Sequence, residues 1–308
     1  MGIFDFLGSI FGYAVWYFFD LFSNYGIAIF IFTVIMNLLM FPMIIKRQSS
    51  MGLAASKSAK INKKQQELKK LYGNNPRKYN EEVAALYEKE NYNPMNMGCL
   101  AMLVPMILMF SIYGVINRPL KNTLHIPQEK ISQAVEVMRD LPETKDKLVR
   151  GYEELQIVRH FADIKDKLNM FSEEEFADIE EYSSGFNVCG IDLLKTPKEC
   201  KFSDMLWVIP VVYFVTSILM YYTTKKMNGN QMEATGCAKF MPYVLPLYMV
   251  YLAYTAPGAV GFFWILNSVI ATGQNMLISK FYGIDKVNAK AQAEHLARME
   301  IIEASIDE

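Results

Sequence analysis

The chain has 308 residues, 52% of them hydrophobic and 13% aromatic, and its 31 Lys and Arg against 32 Asp and Glu give a formal net charge of −1. The charged residues are concentrated in two blocks separated by long apolar runs. This distribution excludes an ordinary pair of soluble domains and indicates a membrane protein.

The first 22 residues form an apolar segment rich in Phe, with Tyr13, Trp16 and Tyr17. No Lys or Arg precedes the apolar stretch and no small-residue cleavage site follows it, so a cleaved signal peptide is disfavoured. Aromatic side chains are enriched at membrane–water boundaries. We therefore expect residues 1–22 to form a helix that lies in the outer interface rather than spanning the bilayer.

Four later runs contain no Asp, Glu, Lys or Arg: residues 25–45, 97–116, 205–224 and 240–279. A bilayer core of about 30 Å needs about 20 helical residues, so each of the first three fits one span. The fourth is twice as long and is interrupted by Ala256-Pro257-Gly258, which favours a tight turn. The sequence thus predicts an all-α protein with five spans, at 23–46, 97–116, 205–224, 240–256 and 259–281.

Charge sets the orientation of these spans. Residues 46–96 carry 11 Lys or Arg and 5 Asp or Glu, a local charge of +6, whereas residues 117–204 carry 13 and 18, a local charge of −5. Short basic loops remain in the cytoplasm. We expect the N-terminus and the 117–204 segment outside, and the 47–96 segment, the 225–239 loop and the 282–308 tail inside.

Residues 47–96 are predicted to form a cytoplasmic helical hairpin. Apolar positions recur at spacings of three and four up to Tyr72, Gly73 can end the first helix, and Asn75-Pro76 can begin the second. The basic residues are either solvated charges that fix topology or contacts for anionic lipid or RNA. The candidate contacts are Lys63, Lys64, Lys69, Lys70, Arg77 and Lys78.

Residues 117–204 form an enlarged extracytoplasmic segment. Ile131, Val135 and Met138 share one helical face, and Leu148, Tyr152 and Leu155 share another, so two or three short helices are expected. The segment is either a partner-binding cap or a tolerated insertion. Cys189 and Cys200 both fall in it, where an oxidising environment allows a disulfide as one alternative to two free thiols.

The sequence lacks the residue patterns of common catalytic chemistry. His125, His160 and His295 are scattered, and neither a Cys-x-x-Cys pair, a Gly-rich phosphate loop nor a zinc-ligand spacing occurs. We therefore expect no catalytic residues, no metal, no cofactor and no enzymatic activity.

Polar groups inside spans are costly and often functional. Thr33 and Asn37 lie one turn apart in the first span, Thr216 lies in the third, and Asn267 and Gln274 share a face of the last. They either line a soft polar surface or hydrogen-bond neighbouring helices. Methionines at 102 and 106 stripe the second span, which suits either varied apolar partners or lipid contact.

Five groups of short stretches follow one another along the chain. The first two are Tyr25-Gly26-Ile27-Ala28-Ile29 with Pro42, and Lys69-Lys70-Leu71-Tyr72-Gly73 with Asn75-Pro76; the other three are Asn93-Pro94 with Gly98-Cys99-Leu100, Phe186 with Gly190-Ile191-Asp192-Leu193, and Met241-Pro242 with Pro257, Phe263-Trp264-Ile265, Asn267 and Gln274. In their order and spacing they resemble the YidC/Oxa/Alb family of membrane protein insertases from about Tyr25 to Gly283, apart from the outer segment.

The resemblance implies a bacterial inner-membrane insertase, active as a monomer, with a hydrophilic groove open to cytoplasm and lipid. Its implied partners are nascent membrane proteins and the lipid bilayer, with the ribosome and the Sec translocon as further candidates and no specific nucleic-acid sequence. The implied groove residues are Thr33, Asn37, Met102, Met106, Thr216, Trp264, Asn267 and Gln274.

Asn37 departs from the family pattern, because bacterial members usually carry an arginine at the matching position. The apolar runs 25–45, 97–116, 205–224 and 240–279 hold no charged residue, and the bases nearest to Asn37 are Lys46 and Arg47. Attraction of acidic substrate tails by a fixed charge is therefore in doubt, although an amide can still hydrate a groove. A channel or transporter, and a scaffold that moves nothing, are the alternative functions.

Overall fold

The protein is described here by a computed structural model that covers residues 3–73, 75–89, 110–142, 150–228 and 241–283, with isolated positions between 286 and 297. Over these residues the chain is nearly all helical, which confirms the predicted class. It divides into two compact units, one of Met1–Leu39, Val104–Tyr221 and Thr235–Thr272, the other of Met40–Leu103, Tyr222–Ala234 and Gly273–Glu308.

The long helices follow the predicted order, with one difference. Helix α2 runs without a break from the first predicted span through the first arm of the hairpin, with Pro42 inside it. Lys, Gln, Ala, Leu and Glu, which are good helix formers, predominate between Lys46 and Gly73, and the helix continues through the single glycine at Gly52. The helices are α1 (Ile3–Phe22), α2 (Tyr25–Tyr72), α3 (Pro76–Lys89), α4 (110–117), α10 (Val208–Asn228), α11 (Met241–Thr255) and α12 (Gly258–Tyr282).

The predicted hairpin of α2 and α3 is present. A Cβ at Gly73 would lie 2.5 Å from the Lys69 carbonyl oxygen, which explains a glycine at this helix end. The side chain of Asn75 caps α3 by accepting a hydrogen bond from the backbone N–H of Lys78 at 3.2 Å. Gln65 Nε2 donates to the Tyr87 hydroxyl at 2.8 Å and so joins the two arms.

Helix α1 packs against the start of the 117–204 segment. Val15 and Phe19 are fully buried, and a Cβ at Gly12 would overlap the backbone carbonyl of Asn122, so this glycine permits the close approach. The opposite face of α1 carries large apolar side chains in solvent-accessible positions, as expected for a helix at the membrane interface. They are Phe6, Ile10, Tyr13, Tyr17 and Leu21.

The described parts of the 119–204 segment, residues 119–142 and 150–204, fold into a compact cap with more helices than predicted. The predicted apolar face of Ile131, Val135 and Met138 does pack inward, and Leu155 is fully buried, whereas Tyr152 is partly buried. The short lengths of α7 and α8 explain why periodicity did not resolve them. The cap helices are α5 (Pro119–Asn122), α6 (Gln128–Asp140), α7 (Glu153–Arg159), α8 (Phe161–Ile164) and α9 (Glu173–Ser184).

The cap ends in a small antiparallel hairpin of β1 (Asn187–Val188) and β2 (Ile191–Asp192). Its two turn residues, Cys189 and Gly190, have φ of +53° and +83°, the signs that a two-residue hairpin turn requires. The following chain holds the start of α12, because the N–H groups of Gly258 and Ala259 donate to the carbonyls of Lys195 and Leu193 at 2.9 and 2.8 Å. Because α11 ends at Thr255 and α12 begins at Gly258, the predicted turn at Ala256-Pro257-Gly258 is present.

Two segments of the described chain are long and apolar enough to cross a bilayer, Tyr25–Lys46 and Met205–Met227. Apolar side chains remain exposed along helical stripes of several helices, which in a soluble protein would be an aggregation hazard and in a bilayer contacts lipid. The stripes include Ile27, Phe30, Leu38 and Leu39 on α2, Val208, Val211, Val215 and Leu219 on α10, Leu247, Tyr248 and Tyr251 on α11, and Val269, Met276 and Leu277 on α12.

Candidate functional site

Two of the predicted groove residues form one turn of α2. The Thr33 hydroxyl is fully buried and donates to the Ile29 carbonyl at 2.6 Å. Asn37 is only partly buried, and its Nδ2 donates to the Thr33 carbonyl at 2.9 Å. Thr33 is thus satisfied within its own helix, while the amide of Asn37 is the more accessible polar group of the pair.

The hydroxyls of α10 are also satisfied locally. Thr216 donates to the carbonyls of Val212 and Tyr213 at 2.9 and 3.1 Å, and Ser217 donates to the Phe214 carbonyl at 2.8 Å. Such bonds remove the cost of a hydroxyl in an apolar environment without requiring a partner helix. Thr216 and Ser217 are therefore satisfied within α10, and a groove role for Thr216 stays a prediction.

Trp264 belongs to an aromatic cluster within the first unit. Its ring centroid lies 6.4 Å from that of Tyr113 and 5.6 Å from that of Tyr213. The Tyr113 and Tyr152 hydroxyls are hydrogen-bonded at 2.9 Å, so the cluster connects to the cap. The sequence argument identified Trp264 but missed the two tyrosines of its cluster.

The remaining groove candidates are Asn267, Gln274, Met102 and Met106. Asn267 and Gln274 are partly buried on α12, Asn267 in the first unit and Gln274 in the second. Ser268 and Thr272, beside them, are buried. Met102 and Met106 lie outside the described residues.

The second unit contains polar contacts that the sequence argument did not assign. Gln48 is almost fully buried, and its Nε2 donates to the Met227 carbonyl at 3.2 Å, joining α2 to α10. Asn275 Nδ2 donates to the Thr224 hydroxyl at 2.9 Å, joining α12 to α10. Gln48 follows Lys46 and Arg47 in a basic stretch, where nothing in the sequence signals burial.

The basic side chains of the hairpin are exposed where the structure describes them, at Lys64, Lys69, Lys70, Arg77 and Lys78. Lys63 lies in α2. The Lys78 ammonium stands 4.9 Å from the Tyr72 ring centroid, a cation–π distance, and Arg77 pairs with Glu81 at 3.3 Å across one turn of α3. An exposed pair of this kind adds little stability. The surface is basic because the five side chains named above are exposed.

Cys189 and Cys200 are free thiols in this structure, with Cys189 exposed and Cys200 partly buried. The disulfide alternative is thus not the one that the structure shows. Partial burial, followed by the nearby Asp204, raises the pKa of the Cys200 thiol and makes it a poor nucleophile.

A buried carboxyl lies beneath the cap helices. Glu154 is 6% exposed, and its Oε2 accepts a hydrogen bond from the backbone N–H of Lys121 at 3.0 Å. Burial raises the pKa of Glu154 to about 7, although the backbone bond from Lys121 and the charge of Arg118 oppose the shift.

Comparison with known proteins agrees with the helical, apolar architecture. The sequence profile of the family described as 60Kd inner membrane protein matches residues 17–286. The chain belongs to this family. It is therefore a membrane protein of the inner-membrane class, and the resemblance found in the sequence is confirmed.

Individual relatives carry the printed name "Membrane protein insertase YidC". One from Treponema denticola is 22% identical over 265 residues, which cover 85% of this chain and 35% of the relative. One from Rickettsia bellii is 41% identical over 104 residues, 34% of this chain and 18% of the relative. One from Caldanaerobacter subterraneus is 37% identical over 95 residues, which cover 31% of this chain and 44% of the relative. The matched stretches thus cover less than half of each relative's length.

Proposed function

We propose that this protein is a membrane insertase: it takes nascent membrane proteins from the cytoplasm and releases their hydrophobic segments into the bilayer. The observation that carries the proposal is the match of residues 17–286 to a family whose relatives are named as insertases. The exposed apolar stripes on α2, α10, α11 and α12 support it, because a hydrophobic segment can move along such faces into lipid.

In this proposal the protein spans the membrane five times, at residues 23–46, 97–116, 205–224, 240–256 and 259–281. The α1 helix lies in the outer interface, the cap is extracytoplasmic, and the hairpin and the C-terminal tail are cytoplasmic. Local charges of +6 for residues 46–96 and −5 for residues 117–204 support this orientation.

A polar groove within the bundle would receive the polar tail of the substrate. A wet cavity shortens the hydrocarbon path that a charged tail crosses and so lowers a barrier of several kcal/mol per charge. The membrane potential could assist acidic tails moving outward, at about 2.3 kcal/mol per charge per 100 mV. Asn37 supports the groove, as a partly buried amide on an otherwise apolar stretch of α2. No nucleotide is required for this mechanism.

The test is reconstitution of the purified protein into liposomes without nucleotide. An insertase moves the short polar tail of a model substrate into the lumen, whereas a channel or transporter gives solute flux without any substrate. A scaffold does neither. Solute flux alone, or an inert liposome, would reject the proposal.

Asn37→Ala tests the groove in the same liposomes. We expect it to slow insertion of substrates with charged tails by several-fold, because it removes the accessible amide while leaving the helix intact. Asn80→Ala is the matched control, because it makes the same change at an exposed position of α3 that belongs neither to the predicted groove nor to the apolar stripes. Equal insertion rates for both variants, with unchanged crosslinking from position 37 to a stalled nascent chain, would remove Asn37 from the mechanism.

A further inference from the structure

The cap contains a cavity that the proposed insertase mechanism does not use. It has a volume of about 460 Å³ and lies between α6, the N-terminal part of α7 and the residues that precede α5. This volume is within the range of small-ligand sites. One side is the face of α6 from Gln128 to Arg139, about 16 Å of helix.

The floor of the cavity offers hydrogen-bond acceptors. Asn117 is 8% exposed, and its Oδ1 is buried without a hydrogen-bond partner in the part of the chain that the structure describes. The Glu154 carboxyl is also buried and lines the same space. An orphaned buried acceptor is costly, so a donor from a ligand at this point would relieve the penalty.

The rim carries charges of both signs. Arg118, Arg139 and Glu136 line the cavity and are exposed, and Glu153 also lines it. Guanidinium groups are well shaped for phosphate. The lining thus combines acceptors and carboxylates, which suit an ammonium, with two guanidinium groups, which suit an anion. This combination is complementary to a ligand that carries both an ammonium and an anion. A simple anion would meet three carboxylates, and a simple cation would meet two guanidinium groups.

We propose that this cavity binds a phosphoethanolamine headgroup, with its primary ammonium on Asn117 and Glu154 and its phosphodiester at Arg118 and Arg139. Such a headgroup is carried by a phospholipid or by the soluble glycerophosphoethanolamine. Asn117 directly follows the predicted span at 97–116, which places the cavity near the outer leaflet. The lipid source rests on the topology proposed above; the headgroup chemistry does not.

The headgroup chemistry is tested with the full chain in detergent micelles at pH 8, where the Glu154 carboxylate is the main form. Glycerophosphoethanolamine should bind at least about ten-fold more tightly than glycerophosphocholine, because a quaternary ammonium has no N–H to donate, a loss of about 1.4 kcal/mol. Glycerophosphoglycerol, which lacks the cation, should also bind more weakly. Equal affinity for the ethanolamine and choline probes would overturn the proposal.

Variants test the residues. Arg139→Gln should weaken glycerophosphoethanolamine several-fold, whereas Arg150→Gln, the same change at an exposed arginine that does not line the cavity, should leave it unchanged. Asn117→Ala should reduce the preference for ethanolamine over choline. Should Asn117→Ala fail to fold, the two arginine variants still decide, and an equal loss in both would reject the site.

The lipid source is tested in nanodiscs. If the occupant is a lipid, phosphatidylethanolamine remains with the protein on extraction in preference to phosphatidylcholine, and Arg139→Gln abolishes the preference. Binding of the soluble probe without lipid retention supports the headgroup chemistry with a soluble source. Because these readouts measure binding, loss of insertase activity alone would leave them unaffected.

Discussion

Glu154 is a buried ionisable residue of the cap. Its carboxyl is buried, and burial raises its pKa from 4.5 to about 7. The folded state therefore holds its proton at pH values where the unfolded chain has lost it. Since stability falls with pH wherever the native state binds more protons, this stabilising contribution is full below about pH 4.5 and is lost as pH rises through 7.

We predict that Glu154→Gln flattens the pH dependence of cap stability. A neutral amide keeps an acceptor for the Lys121 N–H but has no charge to bury, so the change should remove a loss on the order of 2 to 3 kcal/mol between pH 5 and 8. The measurement is the apparent Tm in detergent at the two pH values. Glu129→Gln, on an exposed residue of α6, serves as the control. A Tm difference as large in Glu154→Gln as in the wild type would contradict the assignment.

At the scale of elements, the contact between α1 and the cap depends on the absence of one side chain. A Cβ at Gly12 would overlap the Asn122 carbonyl, which is backbone and cannot turn away. Gly8, one turn earlier, faces only the Asn122 side chain, at 3.2 Å. An added methyl group should therefore destabilise the protein more at Gly12 than at Gly8.

Gly12→Ala is expected to destabilise the first unit by about 1 to 3 kcal/mol, the usual range for overpacking, and to increase protease access to the α1–cap contact. Gly8→Ala should cost less. Gly273→Ala, where an added Cβ meets no atom within 4 Å, should be neutral or stabilise α12 by up to about 1 kcal/mol. The apparent Tm of the three variants checks the order; a Gly12→Ala protein as stable as Gly8→Ala would exclude the close packing.

The elements also show what the sequence could and could not reveal. Apolar runs, Asn75-Pro76 and Ala256-Pro257-Gly258 located helices and turns, because capping and turning are local properties of the chain. The continuity of α2 was not predicted. A change from apolar to basic residues changes the environment that the side chains prefer, but it does not end the helix. Gln48 and Glu154 were missed because their burial depends on long-range packing, which no neighbouring residue signals.

For the candidate site the limit is similar. Thr33, Asn37 and Thr216 could be named from polarity within apolar runs, but their hydrogen bonds to the preceding turn are seen only in the fold. The hydroxyls of Thr33 and Thr216 are hydrogen-bonded within their own helices. Asn37 has an accessible amide, so it is the most suitable of the three for a functional test.

At the scale of the whole molecule, the small net charge of −1 results from two large and opposite local charges. The basic block includes the exposed lysines of the hairpin, and the acidic block is the cap, where α9 begins with three glutamates and carries more acids along its length. Such separation is what the membrane potential and the positive-inside rule would maintain. It makes the orientation of the chain a sharp prediction.

We predict that a membrane-impermeant maleimide added to intact cells labels Cys189, which is exposed in the cap hairpin. The background is Cys99→Ser, Cys200→Ser and Cys237→Ser, so that Cys189 is the one thiol. Leu71→Cys with Cys189→Ser moves this thiol to an exposed position of the hairpin formed by α2 and α3, which is cytoplasmic in the proposed topology. This thiol should react only after permeabilisation. The opposite pattern would invert the topology, and with it the direction in which a substrate tail moves through the proposed groove.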